Sequence, residues 1–284
     1  MKLALYAALV VGGFLALSLL SFWLAVRPPR VAIPLTPADV RLTVEEVTVP
    51  AADGVSLSAW LTTRAGAPAV ILLHGYPAEK ADMLPIAAAL APRFTVMLVD
   101  LRYFGRSGGA VTTLGFRERD DLRRAVDVLA ARGVESVGVF GFSLGGAIAI
   151  AAAVDEPRIR AIAVYSPFAD LRTLGHELYA WMGPVRYPFV GLMRLWSRLF
   201  LGFDVTAAAP EAAARRLAIP VYLIASRGDE QIPFRHAERL RDALAANPRA
   251  EFEFMDEGRH GVLGPDVERR LERFFTRWLG KEPA

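Results

Sequence analysis

The stretch that decides the fold reads SVGVFGFSLGG over residues 136–146. Its first five residues are typical of a buried strand, and an alanine-rich helical pattern follows at residues 146–154. Between them, Ser143 stands in the turn Gly141-Phe142-Ser143-Leu144-Gly145. Small residues at both ends let such a turn approach neighbouring backbone, so that the hydroxyl projects above the sheet beside a helix N-terminus. We therefore predict that Ser143 is a nucleophile, the alternative being a serine that only caps a helix.

Short apolar runs alternate with helical patterns along the rest of the chain. A hairpin pattern surrounds Asp53-Gly54, with strands predicted at residues 44–49 and 55–61. Amphipathic helices are predicted over residues 115–132 and from residue 266. Runs that are apolar on both faces indicate an α/β fold with a mostly parallel, doubly wound sheet and antiparallel leading strands. The parallel strands are predicted at residues 69–73, 95–99, 136–140, 161–165, 221–225 and 251–255.

A serine nucleophile needs a base that a carboxylate holds in one tautomer. Asp229 follows the strand predicted at residues 221–225, and His260 follows the last predicted strand. The chain order Ser, Asp, His is the order expected for a strand-to-helix nucleophile turn. We predict Asp229 as the orienting carboxylate and His260 as the base. The alternatives are Glu230 as the carboxylate, Asp229 as a turn residue and His260 as a solvated loop residue.

The segment HGYP at residues 74–77 follows the strand predicted at residues 69–73. Loops at this position supply an oxyanion donor in acyl-transfer sites of this architecture. Because Pro77 has no N–H, the predicted donors are the backbone N–H groups of Tyr76 and Leu144. His74 itself is predicted to brace the loop.

The first 27 residues predict a membrane anchor. Residues 3–26 carry no charge, and a helix rising about 1.5 Å per residue over this length can cross a hydrocarbon core of about 30 Å. A cleaved signal peptide is the alternative, but the apolar run is longer than the hydrophobic region of a signal peptide, which usually has about 7 to 15 residues. We expect an anchor at residues 1–27, a linker at 28–43 and a catalytic domain at 44–284. The short N-terminal tail favours a catalytic domain outside the cytoplasm.

Composition narrows the classes of partner and cofactor. The 284 residues carry a formal net charge of +3, and no dense stripe of Lys and Arg interleaved with aromatics supports nucleic-acid binding. The absence of cysteine excludes disulfides, a cysteine nucleophile and a thiolate metal site. We expect no metal and no cofactor, and the oligomeric state stays open.

The insertion between the sixth and seventh predicted sheet segments, residues 171–210, is termed the cap. It is rich in Leu, Trp, Met and Phe and holds His176. It is either a set of helices packed on the core or a lid that lines an acyl-sized pocket or touches the bilayer, with Arg186, Arg194 and Arg198 near headgroups. A helix predicted after Pro233 carries His236, which we expect at the surface.

Residues 45–280 resemble the α/β-hydrolase superfamily, and most of all its Bem46/ABHD13-type branch of membrane-anchored serine hydrolases. Tyr103 departs from the family turn D-x-R-G-x-G-x-S, where glycine is usual. The resemblance implies hydrolysis of an ester, thioester or amide without a metal or organic cofactor. It rests on His74-Gly75, DLRYFGRSG at residues 100–108, GFSLGG at 141–146, SPF at 166–168, Gly228-Asp229 with Ile232-Pro233, and Gly258 with His260.

The expected function is a membrane-anchored serine hydrolase of the carboxylesterase or lipase type. It would cleave esters or thioesters of small-molecule or lipid substrates that are lipophilic or acylated, through an acyl-enzyme. Two alternatives remain: a serine peptidase or amidase of the same fold, and a catalytically inactive membrane-tethered scaffold.

Overall fold

A single β-sheet organises the computed structural model, which describes residues 1–207, 209–264 and 266–280. Residues 281–284 of the predicted catalytic domain and Ala208 of the cap lie outside the described residues. The strands are β1 (Glu45–Pro50), β2 (Ser56–Thr62), β3 (Ala69–Leu73), β4 (Thr95–Val99), β5 (Val137–Phe142), β6 (Ile159–Tyr165), β7 (Val221–Ser226) and β8 (Ala250–Met255).

The strand pairing confirms the predicted topology. Within the described residues, the sheet order is β1-β2-β4-β3-β5-β6-β7-β8. The strand β2 pairs antiparallel with both β1 and β4, and the remaining pairs are parallel. The strand β5 continues to Phe142, two residues beyond the predicted end, so that Ser143 follows the strand directly.

Helices cover both faces of the sheet. Residues of β3 alternate between two cores: Ile71 and Leu73 contact the side of α3 and α4, whereas Val70 and Leu72 contact the side of α2 and α9. The helices are α1 (Lys2–Val26), α2 (Leu84–Leu90), α3 (Glu118–Ala130), α4 (Leu144–Ala153), α5 (Leu171–Leu178), α6 (Arg186–Leu201), α7 (Pro210–Ala214), α8 (Arg235–Ala243) and α9 (Val267–Leu279). Short 3₁₀ turns lie at Pro37–Val40, Lys80–Met83, Ala180–Val185 and Val205–Ala207.

Two glycines bring α4 close to the sheet. A Cβ atom on Gly145 would lie 2.5 Å from the backbone oxygen of Leu73, and one on Gly141 would lie 2.3 Å from the backbone oxygen of Gly145. Both distances are far below van der Waals contact, and backbone cannot move aside as a side chain can. The glycines therefore allow the close strand–turn–helix approach that the sequence predicted.

The helix α1 is long and apolar enough to cross a membrane by length and composition. Most of its large side chains are exposed, but Ser18, Phe22 and Val26 are buried. Their spacing of four residues puts them on one helix face, and that face contacts α6 of the cap. The C-terminal half of α1 is therefore docked on the cap, an arrangement that the predicted division into anchor, linker and domain did not include.

Candidate active site

Ser143 lies between β5 and α4 in a strained backbone conformation. Its φ of 51° and ψ of −113° are rare for a residue with a side chain. Its backbone N–H donates to the carbonyl oxygen of Tyr165 at 2.8 Å, and its backbone carbonyl oxygen accepts from the N–H of Ala147 at 3.1 Å. These contacts hold the strained turn, which presents the hydroxyl at the carboxyl edge of the sheet.

His260 follows β8 and lies beside Ser143. Its Nε2 atom is 3.1 Å from Ser143 Oγ, and its Nδ1 atom is 2.7 Å from Asp229 Oδ2. Because Asp229 can only accept when ionised, Nδ1 carries the proton and donates it to Asp229, which leaves Nε2 as an acceptor facing the hydroxyl. The side chains of His260 and Asp229 are 5% and 2% exposed, so their contact is shielded from water.

Asp229 follows β7 and is held by backbone donors. Its Oδ1 accepts from the N–H groups of Gln231 at 2.9 Å and Ile232 at 2.8 Å. Burial by itself would raise the pKa of Asp229, but the hydrogen bonds from His260, Ile232 and Gln231 outweigh it and lower the pKa below its usual value. The carboxylate is therefore charged and oriented at neutral pH. Ile232 was named from the sequence only as part of the family resemblance, and the role of the Gln231 and Ile232 N–H groups in holding Asp229 was not predicted.

The two residues predicted as oxyanion donors lie at the same cavity as Ser143. Tyr76 and Leu144 both line that cavity. Among the described residues, no acceptor is hydrogen-bonded to either N–H. Donors left unpaired beside a hydroxyl are suited to an oxyanion that forms there.

The ring of Phe142, the residue before Ser143, packs against both His260 and the loop at Gly75. Its ring centroid is 4.8 Å from that of His260. A Cβ on Gly75 would lie 2.7 Å from the Phe142 ring, so the loop before Tyr76 also packs on this ring. The sequence analysis named Phe142 only as a member of the turn around Ser143, and it did not predict these contacts.

The other three histidines lie apart from this cluster. His74 is buried and braces its loop as predicted, with Nδ1–H donating to Gly75 O at 2.7 Å and Nε2 accepting from the N–H of Leu101 at 3.0 Å. His176 lies on α5 in the cap.

The prediction that His236 lies at the surface is wrong. Its side chain is fully buried, accepts from the N–H of Ala169 at 3.0 Å and donates to Glu177 at 2.7 Å. The charged residues around it in sequence lie on the other faces of α8, which misled the prediction.

The cavity at Ser143 has a volume of about 310 Å³ and an apolar lining. The cap contributes Leu174, Val190 and Met193, and α1 contributes Phe22, Ala25 and Val26. The contribution of α1 was not predicted.

Two of the three cap arginines singled out in the sequence have an acidic partner, and their proximity to headgroups stays a prediction. Arg194 and Arg198 each contact Asp204 at 2.8 Å. Their charges are therefore partnered within the cap.

Across residues 1–207, 209–264 and 266–280, no group of three or more His, Asp or Glu side chains could hold a metal ion.

Comparison with known proteins identifies the architecture. A family model described as the alpha/beta hydrolase fold matches residues 68–201. The structure of the Pyrococcus furiosus esterase Pf2001 superimposes with a TM-score of 0.74 and 28% identity, covering 90% of this chain and 99% of that one. The chain therefore has the α/β-hydrolase fold, and these matches support its assignment to the α/β-hydrolase superfamily.

Curated relatives extend the similarity at the level of sequence. The Escherichia coli O157:H7 protein YfhR is 28% identical over 217 residues, which is 72% of this chain and 69% of that protein. A pimeloyl acyl-carrier-protein methyl ester esterase of Xanthomonas campestris is 37% identical over 97 residues, 34% of this chain and 36% of that enzyme.

Proposed function

We propose that this chain, which has the α/β-hydrolase fold, is a membrane-anchored serine esterase with Ser143, His260 and Asp229 as its catalytic triad. The observation that carries the proposal is the continuous contact from Asp229 Oδ2 through His260 to Ser143 Oγ, at 2.7 and 3.1 Å. The esterases among the similar proteins favour a carboxylic ester or thioester over an amide. The apolar cavity favours an acyl group that is lipophilic.

In the acylation step, Ser143 Oγ attacks the substrate carbonyl carbon as its proton passes to His260 Nε2. The carbonyl oxygen becomes an oxyanion that accepts from the N–H groups of Tyr76 and Leu144, and Asp229 stabilises the imidazolium. Collapse of the intermediate breaks the ester bond. The alcohol or thiol leaves with the proton from His260, and the acyl group remains on Ser143.

Deacylation repeats the sequence with water as the nucleophile. His260 takes a proton from water, the hydroxide adds to the acyl carbon, and the second oxyanion uses the same two donors. The acid product leaves as His260 returns the proton to Ser143 Oγ. In this scheme the chain supplies every group that moves a proton.

The anchor in this proposal is α1, with the N-terminus inside and the catalytic domain outside the cytoplasm. The support is the length and apolar composition of the helix. Digestion of intact cells or spheroplasts by an added protease tests this orientation. Protection of the catalytic domain in sealed cells, with digestion after lysis, would reverse it.

Labelling of the full-length protein by a fluorophosphonate probe tests the catalytic assignment. We expect labelling of the wild type, hydrolysis of p-nitrophenyl butanoate and loss of both in Ser143→Ala. A folded wild type that is neither labelled nor active would favour a non-catalytic scaffold. Faster cleavage of aminoacyl p-nitroanilides than of esters would favour a peptidase.

A further inference from the structure

The helix α1 forms one wall of the cavity that contains Ser143. Phe22, Ala25 and Val26 line this cavity together with the proposed nucleophile. Phe22 is 2% exposed and Val26 is fully buried, whereas Leu20 and Leu24 on the other side of the helix are each 55% exposed. One face of a membrane-spanning candidate thus belongs to the surface that a substrate would meet.

Specific contacts hold α1 against the cap. The indole Nε1–H of Trp196 on α6 donates to Ser18 Oγ at 3.0 Å. The ring of Phe200 stacks on that of Phe22 with centroids 6.3 Å apart, and Phe14 meets Phe189 edge-on at 5.6 Å. The Ser18 hydroxyl also donates to Leu15 O within α1 at 2.8 Å, so it is paired in the helix and in addition accepts from the indole of the cap.

Two further hydrogen bonds tie the end of α1 to loops beside the reaction centre. The N–H of Thr112 donates to Val26 O at 3.0 Å, and the hydroxyl of Tyr76 donates to Leu24 O at 3.4 Å. Tyr76 is also the residue whose N–H is proposed to donate to the oxyanion. The position of α1 is therefore defined relative to the atoms that would react.

The remainder of the lining indicates what this wall would contact. It is apolar across Leu174, Leu178, Val190 and Met193, and the charge of Arg194 is paired with Asp204 at 2.8 Å. An uncharged hydrocarbon chain matches such a lining, whereas a free anion or a polar sugar does not.

We propose that Phe22, Ala25 and Val26 of α1 determine acyl-chain length in the substrate, so that the membrane helix is also part of the specificity pocket. The substrate class is an ester whose acyl group is a hydrocarbon chain that lies against α1. This inference rests on the proposed esterase function. It goes further because it assigns substrate contact to a segment outside the catalytic domain.

A matched pair of substitutions tests it. Ala25→Leu fills the pocket, whereas Ala16→Leu makes the same change on the exposed face of the same helix. Both leave α1 apolar, so membrane insertion is preserved. In detergent-solubilised full-length protein, we expect Ala25→Leu to lower the ratio of kcat/KM for octanoyl over butanoyl p-nitrophenyl ester by about tenfold or more, since one methylene in an apolar pocket is worth about 10- to 200-fold.

The control Ala16→Leu should keep the wild-type ratio. Phe22→Leu, which removes a ring from the wall, should change the ratio in the opposite direction. An unchanged ratio in a folded Ala25→Leu that still hydrolyses the butanoyl ester overturns the inference while the esterase function stands. Absence of hydrolysis of any ester by wild type, with no fluorophosphonate labelling, overturns the function itself.

A measurement on the wild type serves if the variants do not fold. An octyl fluorophosphonate with a diazirine at the chain end would be attached to Ser143 and then irradiated. We expect crosslinks to the peptide that contains residues 22–26. Crosslinks confined to other parts of the chain would overturn the inference.

Discussion

The backbone N–H of His260 donates to the carboxylate of Glu230 at 3.0 Å, although the imidazole of the same residue faces a different acid. Asp229 accepts from the ring at 2.7 Å. The Asp229 side chain is buried, whereas the Glu230 side chain is 41% exposed and also contacts Arg259 at 3.3 Å. Adjacent carboxylates thus have separate contacts: one accepts from the imidazole ring and the other accepts from the backbone of the loop.

This division predicts different kinetic effects for the two acids. Asp229→Asn should lower kcat by about 10⁴-fold, because an amide no longer favours the required tautomer. Glu230→Gln keeps an acceptor for the backbone N–H and should change kcat by less than about tenfold. Ester hydrolysis across a range of substrate concentrations measures both. A larger loss in Glu230→Gln than in Asp229→Asn would contradict the assignment.

The close approach of α4 predicts a severe effect of one methyl group. Gly145→Ala should reduce the free energy of unfolding by about 3 kcal/mol or more, because its Cβ would overlap the backbone oxygen of Leu73 at 2.5 Å. Gly191→Ala is the matched control. No atom lies within 4 Å of a Cβ built at Gly191 on α6, so helix propensity favours alanine by about 1 kcal/mol there. Thermal unfolding in detergent compares the two, and equal melting temperatures would refute the prediction.

Burial of a neutral imidazole predicts acid sensitivity. Desolvation lowers the pKa of His74 from 6.5 to about 4. Between these values the unfolded chain binds a proton that the folded chain does not, so this group makes stability fall as pH decreases from 6.5 towards 4. His74→Gln should be less stable at neutral pH because it disturbs the bonds to Gly75 and Leu101.

The variant should also lose stability less steeply on acidification. The difference in slope is at most one proton, or about 1.4 kcal/mol per pH unit. Urea unfolding of wild type and His74→Gln at pH values across this interval measures it. If the free energy of unfolding of the two proteins fell in parallel over this pH interval, His74 would not titrate within it.

The exposed half of α1 predicts the strength of membrane retention. Val10→Arg combined with Gly13→Arg should release the protein from membranes, since each arginine near the centre of a span costs about 2.5 to 3.5 kcal/mol. The control replaces both positions by leucine. Carbonate extraction and centrifugation measure retention. An arginine variant that stays in the membrane pellet would argue against α1 as the anchor.

Local patterns were sufficient to predict the sheet and the position of each site residue along the chain. The strand-to-helix turn at Ser143 has a signature within a few residues, and Asp229 and His260 follow strands whose carboxyl ends meet at one edge. Parallel pairing of β5, β6, β7 and β8 then brings the three side chains together. Their catalytic roles remain predictions until they are tested.

Contacts between distant segments could not be predicted in the same way. Ser18 and Trp196 are 178 residues apart in sequence. The high hydropathy along α1 does not indicate which of its faces packs against the cap. The sequence does contain one indication that α1 packs against the cap: Ser18 lies on the same helix face as Phe14, Phe22 and Val26, at intervals of four residues. The burial of His236 depends on Ala169 and Glu177, which are 67 and 59 residues away in sequence.

The shared contacts of Phe142 have a consequence for how the site could diversify. One ring packs against the imidazole of His260 and against Gly75, so it contributes to the spacing between the proposed base and the proposed oxyanion donor at Tyr76. A substitution near Gly75 would then also change the position of His260, and a substitution near His260 would change the loop at Gly75. The kinetic effects of two such substitutions would not simply add. Changes in the cap and in α1 touch neither contact, so they would alter the pocket without acting through this ring.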